Sequence, residues 1–477
     1  MAQPISLNLL NFLFVFSDNL GVGGKQFAAM TFPSTRPFNK KAFWLTLSLA
    51  AAIRAVALWL KFDSLSNDPD GYRQLAETLA TQGVFGFGTA GVAAHPTAFR
   101  PPGYPYLLSW LVADGKLSNG AVAGLHWLLG IATVALVYLF ANRLLAKIEQ
   151  QQEPRSVAIT VAGCVAALIV ACDPILLVQS TQVMTETLAT LLAVLGGWAW
   201  FSFADSAKGQ NIIETMPRKR GLTLGLCLLI GFFGRPISAV WAALLFSASA
   251  YCFRRRMMFA TLTSVSMFVF GICLWTQRNI RAVGEPIWAT SHGGYTLLLA
   301  NNPMLYQHLR EHPLGTYWDA TRFLQTWDAR EAGDIRDPGF WQVSHEPVPI
   351  TRSEVEDNKL ASEAAMATIR REPAMFVWSC VVRVWWLWSP CPQIGSIMQR
   401  SLVCIWYLAV YLGAIISLYR WRHIIFSSPW LAGWLLMFAL TGTHAVYWSN
   451  LRMRAPAVPF IAIVAAASLL PRRIQEG

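Results

Sequence analysis

The chain has 477 residues, of which 55% are hydrophobic and only 13% charged, with a positive mean hydropathy; soluble domains carry nearer a quarter charged residues, so a soluble globular protein is excluded. Apolar runs close to the ~20 residues that cross a bilayer as a helix recur along most of it, and alternating barrel strands are absent, so the fold class is an all-α polytopic membrane protein. The net charge of +12 sits in short loops where the positive-inside rule already predicts it, and does not argue for nucleic acid.

Residues 1–41 hold one apolar run, Ile5 to Phe16, with no basic segment before it and no small-residue cleavage site after it. They read as a cytoplasmic tail rather than a signal peptide, and a start at Met30 stays open. The first predicted span is Ala42 to Phe62, behind Lys40 and Lys41, which places the N-terminus in the cytoplasm. Ala121 to Ala141 returns to a basic turn with Arg143, Lys147 and Arg155. Val157 to Cys172 and Val183 to Phe203 form the next pair, closed inside by Lys208, Arg218, Lys219 and Arg220.

Two short spans then meet at an external Arg235-Pro236 turn and end at Arg254, Arg255 and Arg256, and Met257 to Gln277 crosses outward. A long polar segment follows, Arg278 to Pro373. The tryptophan-rich Phe376 to Ser389 is short and carries Arg383, so it is expected to lie on the outer surface. Ser401 to Tyr419, Trp430 to Trp448 and Pro456 to Leu470 complete about ten transmembrane helices, with Arg420, Arg422, Arg472 and Arg473 inside. The membrane domain is therefore 42–470, with external loops 63–120 and 278–400 carrying amphipathic helices and a cytoplasmic tail at 471–477. All eight cysteines lie in or beside apolar segments, and neither a disulfide framework nor a CxxC metal site is visible.

In this topology Arg100, Arg235, Arg278, Arg281, Arg452 and Arg454 lie outside, each next to a span end, against the positive-inside rule. A planar fork of donors at a membrane edge suits phosphate recognition; singly, each also suits snorkelling to a lipid headgroup. Asp68, Asp70 and Glu186 fall on the same face, Glu186 where a helix N-terminus would favour its charge. Asp68-Pro69 is a helix start, and Tyr72, Leu75, Ala76 and Leu79 recur at helical spacing, so Asp68 reads both as a cap and as a candidate acid. In SHGGY, beside His292, the glycines either bring backbone amides to a ligand or form a plain turn.

The order of NDPDGY, AETLATQGVFGF, FRPPGYPYLL, STQVMTETLATLLAVL, GRPISAVW, WTQRNIRAVGEPIW and LRMRAPAVPF resembles the membrane glycosyltransferases of the GT-C class, in particular the family of protein mannosyltransferases and lipid A aminoarabinose transferases. The resemblance runs from about Ala42 to Leu470. It implies transfer of a hexosyl or pentosyl group, with inversion, from a polyprenyl-phosphate donor to a lipid, glycan or protein hydroxyl, on the external face of the plasma (inner) membrane. Asp68, four before Tyr72, matches the family's D-E-x-x-Y pattern, which Pro69 and Asp70 depart from; Asp68 is favoured over Asp70 as base.

Arg278, Arg452, Arg454 and Arg100 are then phosphate or donor ligands, with Glu186, Tyr72, Arg235 and His292 positioning. No cofactor is required; a divalent metal between Asp68, Asp70 and Glu186 is open, since no ligand spacing demands one. The Trp378 to Trp388 segment is placed to rim a lipid groove or to anchor at the interface. A polytopic transporter, or a ligase or polymerase of lipid-linked glycans, are the alternatives; the first is disfavoured by the lack of internal repeats.

Overall fold

The computed structural model describes residues 39–88, 92–149, 156–207 and 215–471. The tails read at 1–41 and 471–477 fall outside these residues but for 39–41 and 471, as do Arg155, Lys208, Arg472 and Arg473. Among the described residues the regular structure is helical apart from one two-residue antiparallel ribbon and an isolated bridge between Ala113 and Lys116.

Helix α1 (Lys40–Leu60) leads through a short 3-10 turn to α2 (Tyr72–Gln82), the ribbon β1 (Gly86–Phe87) with β2 (His95–Pro96), and α3 (Gly103–Ser109). Next come α4 (Asn119–Glu149), α5 (Ser156–Cys172), α6 (Pro174–Ser180), α7 (Glu186–Ser206), α8 (Thr215–Gly234), α9 (Ser238–Phe253) and α10 (Met258–Val283). The second polar stretch holds α11 (Gly293–Ala300), α12 (Pro303–Glu311), α13 (Thr321–Asp328) and α14 (Glu354–Arg371). The chain ends with α15 (Pro373–Trp388), α16 (Ile397–Ile425), α17 (Leu431–Val446) and α18 (Val458–Ala466). Among the described residues six segments are long and apolar enough to cross a membrane, and α5 with α6, bent by 49°, makes a seventh if taken as one span.

The helices are amphipathic in the sense a bilayer requires. α1 buries Thr46, Ala50, Arg54 and Leu58, about one residue per turn, and turns Leu45, Leu49, Val56 and Trp59 outward. Without a hydrophobic drive between helices in lipid, small residues decide close approach. Gly221 and Gly225, four apart on α8, meet α10 there: a Cβ on Gly225 would stand 2.5 Å from the Ser264 carbonyl oxygen, and Ser264 Oγ donates to the Gly221 carbonyl at 2.5 Å. The bend after α5 has a local cause. Asp173 accepts the Leu176 N–H at 3.0 Å and Pro174 opens α6.

Basic residues at the helix ends find local acceptors. Lys147 Nζ pairs with Asp205 at 2.8 Å, Arg220 donates to the Ser202 carbonyl, and Arg420 donates to that of Ser468. The two polar stretches pack on each other. Arg278 donates to the carbonyls of Thr97 (2.6 Å) and Phe85 (2.8 Å), Ser291 N–H donates to the Ala98 carbonyl at 3.0 Å, and Glu354 accepts the Ala98 N–H at 2.9 Å and the Thr97 hydroxyl. A capping box of Ser353 and Glu356 starts α14 beside that contact.

α15 packs along its neighbour: Arg383 Nε donates to the Ala445 carbonyl and Trp388 Nε1 to Thr441 Oγ1, so α15 runs antiparallel along the last turns of α17. Its buried Arg383 also reaches the Ala300 carbonyl at 2.5 Å, which is why a charged residue is tolerated on it. The cysteines are not all free: Cys391 and Cys404 form a disulfide across the turn between α15 and α16, with Cα atoms 4.4 Å apart. Nothing in a 13-residue separation within apolar surroundings announces such a pair.

Candidate active site

The first polar stretch is held on the bundle by buried aromatics of α2 and α3. Tyr72 meets Tyr104 edge to face at 5.2 Å, and the Tyr104 hydroxyl lies 2.7 Å from His126 Nε2 on α4. His126 Nδ1 is 2.8 Å from the Ser180 carbonyl, which can only accept, so Nδ1 carries the proton and Tyr104 donates to Nε2. His126 and Tyr104 escape sequence reading, because a lone histidine in an apolar span and a tyrosine in a turn carry no pattern. Tyr104→Phe should cost about 1–3 kcal/mol by leaving that buried nitrogen without a donor, read as a lowered unfolding temperature with insertion intact.

Asp68 and Asp70 are two residues apart and do different things. Both oxygens of Asp68 accept backbone N–H groups at the start of α2, Oδ1 from Tyr72 (2.8 Å) and Oδ2 from Arg73 (2.9 Å) and Gln74 (3.3 Å). Burial pushes its carboxyl above the usual carboxylate range, opposed by those same amides. Gly71, left-handed at φ 72°, turns the chain from the two acids into α2. Asp70 pairs with Arg100 at 2.7 Å, and both line a cleft of about 410 Å³ between the two polar stretches. Arg100 also donates to the Asp70 carbonyl and lies over Phe99 at 4.6 Å and Tyr72 at 5.6 Å.

Glu186, at the first turn of α7, is 2% exposed. Its Oε1 stands 3.5 Å from Arg235 Nη1 and 3.7 Å from Arg452 Nε, ion-pair distances too long for good hydrogen bonds. Glu186 Oε2, Arg235 Nη1 and Arg452 Nε are buried without hydrogen-bond partners, and so are Thr187 Oγ1 and Ser449 Oγ. Two guanidiniums facing one carboxylate leave an excess of positive charge with donors to spare. Burial pushes the Tyr72 hydroxyl up to about 12; after burial it feels Arg100, Asp70, Glu186 and Arg235, so this charge and the Asp70–Arg100 pair act on one phenol.

Arg278 and Arg454 are engaged in holding the fold. Arg452 and Arg454 belong to one 3-10 turn, Leu451–Ala457, where residues two apart diverge by about 120°. Arg452 therefore faces Glu186, while Arg454, 1% exposed, donates to the carbonyls of Leu387 and Ser389 and stacks 4.1 Å over Tyr407. Arg278 clamps the first stretch as described, its guanidinium 5.2 Å from the Phe85 and Trp275 rings.

His292 lines the cleft against Phe99 (4.4 Å) and Tyr295 (4.9 Å), and burial, then the Arg100 charge, push its imidazole well below its ordinary value. Gly294 serves packing rather than a ligand: its N–H donates to Asn358 Oδ1 at 2.6 Å, and a Cβ there would collide with the Asn358 carbonyl of α14. Asp68, Asp70 and Glu186 each turn to different partners, and among the described residues no three His, Cys, Asp or Glu side chains are grouped to hold a metal ion.

No protein-family model matches the chain, and no curated protein matches it. Solved structures similar to it include the archaeal oligosaccharyltransferase AglB from Archaeoglobus fulgidus in complex with an inhibitory peptide and a dolichol-phosphate, at 15% identity and a TM-score of 0.47. That likeness covers 91% of this chain and 50% of the other, so this chain spans about half the length of AglB. ArnT from Cupriavidus metallidurans is similar at 12% identity and a TM-score of 0.36 in the apo state, covering 89% of this chain and 77% of that one. Bound to undecaprenyl phosphate it is similar at 13% and 0.37, covering 90% and 78%.

Proposed function

We propose that the chain is a membrane glycosyltransferase that moves a sugar from a polyprenyl-phosphate donor to a hydroxyl acceptor, with inversion. The observation that carries this reading is the buried Glu186–Arg235–Arg452 group, whose unpartnered N–H donors offer a phosphate both charge and hydrogen bonds at the polar end of an apolar bundle. In the step, the acceptor oxygen forms a bond to the anomeric carbon as the bond from that carbon to the phosphate oxygen breaks. The acceptor proton passes to a carboxylate, and the polyprenyl phosphate leaves with the electron pair, its new charge met by Arg235 and Arg452. Of the two aspartates of the first stretch Asp70 is the one that lines the cleft, and we assign it the role of base, with Asp68 fixing the start of α2. Arg278, Arg454 and Arg100 then organise the site and do not bind the phosphate. The Cys391–Cys404 disulfide, on the α15 end that Arg454 ties down, supports an external, oxidising side for this chemistry.

The test is purified protein in nanodiscs with radiolabelled polyprenyl-phosphate sugars and mixed cell-envelope acceptors. Wild type should release free polyprenyl phosphate. Arg452→Ala and Arg235→Ala should each slow it about 100-fold or more, as removing one donor from a developing anion does elsewhere, while Arg281→Ala stays near wild type. Equal rates in all four proteins would remove the phosphate assignment.

A further inference from the structure

The cleft between the two polar stretches extends well past Asp70, and its chemistry differs from that of the arginine group. Its volume of about 410 Å³ lies within the range of small-molecule sites. One wall is a continuous run of rings. Phe99 meets His292 at 4.4 Å, His292 meets Tyr295 at 4.9 Å, and Tyr295 meets Trp327 at 5.3 Å. Arg330 lies 4.3 Å over the Trp327 ring and is itself held by both oxygens of Asp357, so the indole is fixed in place before anything binds.

Among the charged residues of the lining carboxylates outnumber cations, with Asp70, Asp328, Glu354 and Asp357 against Arg100 and Arg330. That excess of carboxylate repels a phosphate and suits a ligand rich in donor hydroxyls. Ser291, 5% exposed, lines the cleft with its Oγ unpartnered, and so does the buried Nδ1 of His292. A ligand that brings both donors and acceptors would satisfy them. Aromatic faces beside carboxylates match a sugar ring, whose C–H face is attracted to the negative face of an aromatic ring and whose hydroxyls donate to carboxylates.

We propose that this cleft is the acceptor subsite and that the acceptor is a carbohydrate, a neutral or amino sugar whose ring packs on the Tyr295–Trp327 wall and whose attacking hydroxyl reaches Asp70. The proposal rests on the transferase reading and names its acceptor class. It makes the second polar stretch the specificity element, since Trp327, Asp328 and Asp357 all come from it.

Saturation-transfer NMR on the full chain in nanodiscs tests it without turnover, using methyl glycosides of a neutral hexose, a pentose and glucosamine as probes. Ring protons of at least one glycoside should saturate with wild type. Trp327→Leu, which keeps an apolar filler beside Tyr295, should weaken binding at least tenfold, and the exposed Asp328→Asn, outside the packing, should weaken it severalfold. Trp59→Leu, on the outward face of α1, should bind as wild type does. No saturation by any glycoside, or saturation unchanged in both cleft variants, overturns the proposal. Displacement of the glycoside by excess polyprenyl-phosphate sugar, but not by polyprenyl phosphate alone, would give the cleft to the donor's sugar and overturn the acceptor assignment. Saturation of a serine- and threonine-containing peptide in place of the glycosides would overturn it in favour of a protein acceptor. Glycoside binding without any transfer activity would instead count against the transferase reading.

Discussion

Asp70→Asn is expected to lower sugar transfer by about 100- to 10,000-fold, the usual contribution of a general base, while the protein inserts and melts as wild type does. The amide oxygen of asparagine can still accept from Arg100, whose second bond goes to the Asp70 backbone carbonyl and is untouched. What disappears is the capacity to take a proton at the cleft. Asp68→Asn behaves differently because both Asp68 oxygens accept amides of α2. An asparagine must direct its NH₂ at one of those N–H groups, so this variant should lose about 1 kcal/mol or more of stability at the helix start. Initial rates with labelled donor, taken beside unfolding curves, separate the two. A dead Asp68→Asn with wild-type melting, beside an active Asp70→Asn, would move the base to Asp68.

That contrast marks how far the sequence reaches. Helix existence was legible: the apolar runs read from Ala42, Ala121, Val157, Val183 and Met257 each hold a helix, the fourth from Glu186 on, and Asp68 does accept the first amides of one, although that helix begins at Tyr72 and leaves Pro69 in the turn before it. These follow from hydropathy and capping, which act over a few residues. Which arginine is free to bind a ligand was not legible, because it depends on what the fold sets opposite each guanidinium. Arg278 and Arg235 read alike as cations at span ends. Only the packing of Thr97 and Phe85 against the first, and of Glu186 and Met453 beside the second, tells them apart. Arg452 and Arg454 likewise read as one motif, and the 3-10 turn sends them to different neighbours. The Gly221 and Gly225 spacing was a signal available in the sequence, four apart on one helix face, that identifies the tight α8–α10 contact.

Glu186→Ala should be the most destabilising single change at the site. Removing one partner from a buried ionic group typically costs about 3–5 kcal/mol, because the charge left behind is uncompensated. Here two guanidiniums would remain, with side chains only 16% and 28% exposed, and they would repel each other. The same arithmetic gives a diagnostic. An anion that takes the place of the carboxylate should restore stability by mass action, about 2.7 kcal/mol at a hundredfold excess over its dissociation constant. A polyprenyl phosphate added to nanodiscs should therefore raise the unfolding temperature of Glu186→Ala more than that of wild type, where Glu186 already offsets part of the charge. The double variant Glu186→Ala with Arg452→Ala should recover part of the lost stability and lose most of the response to lipid phosphate. If polyprenyl phosphate shifts none of these proteins, the arginine group is a structural ion cluster and the donor phosphate binds elsewhere.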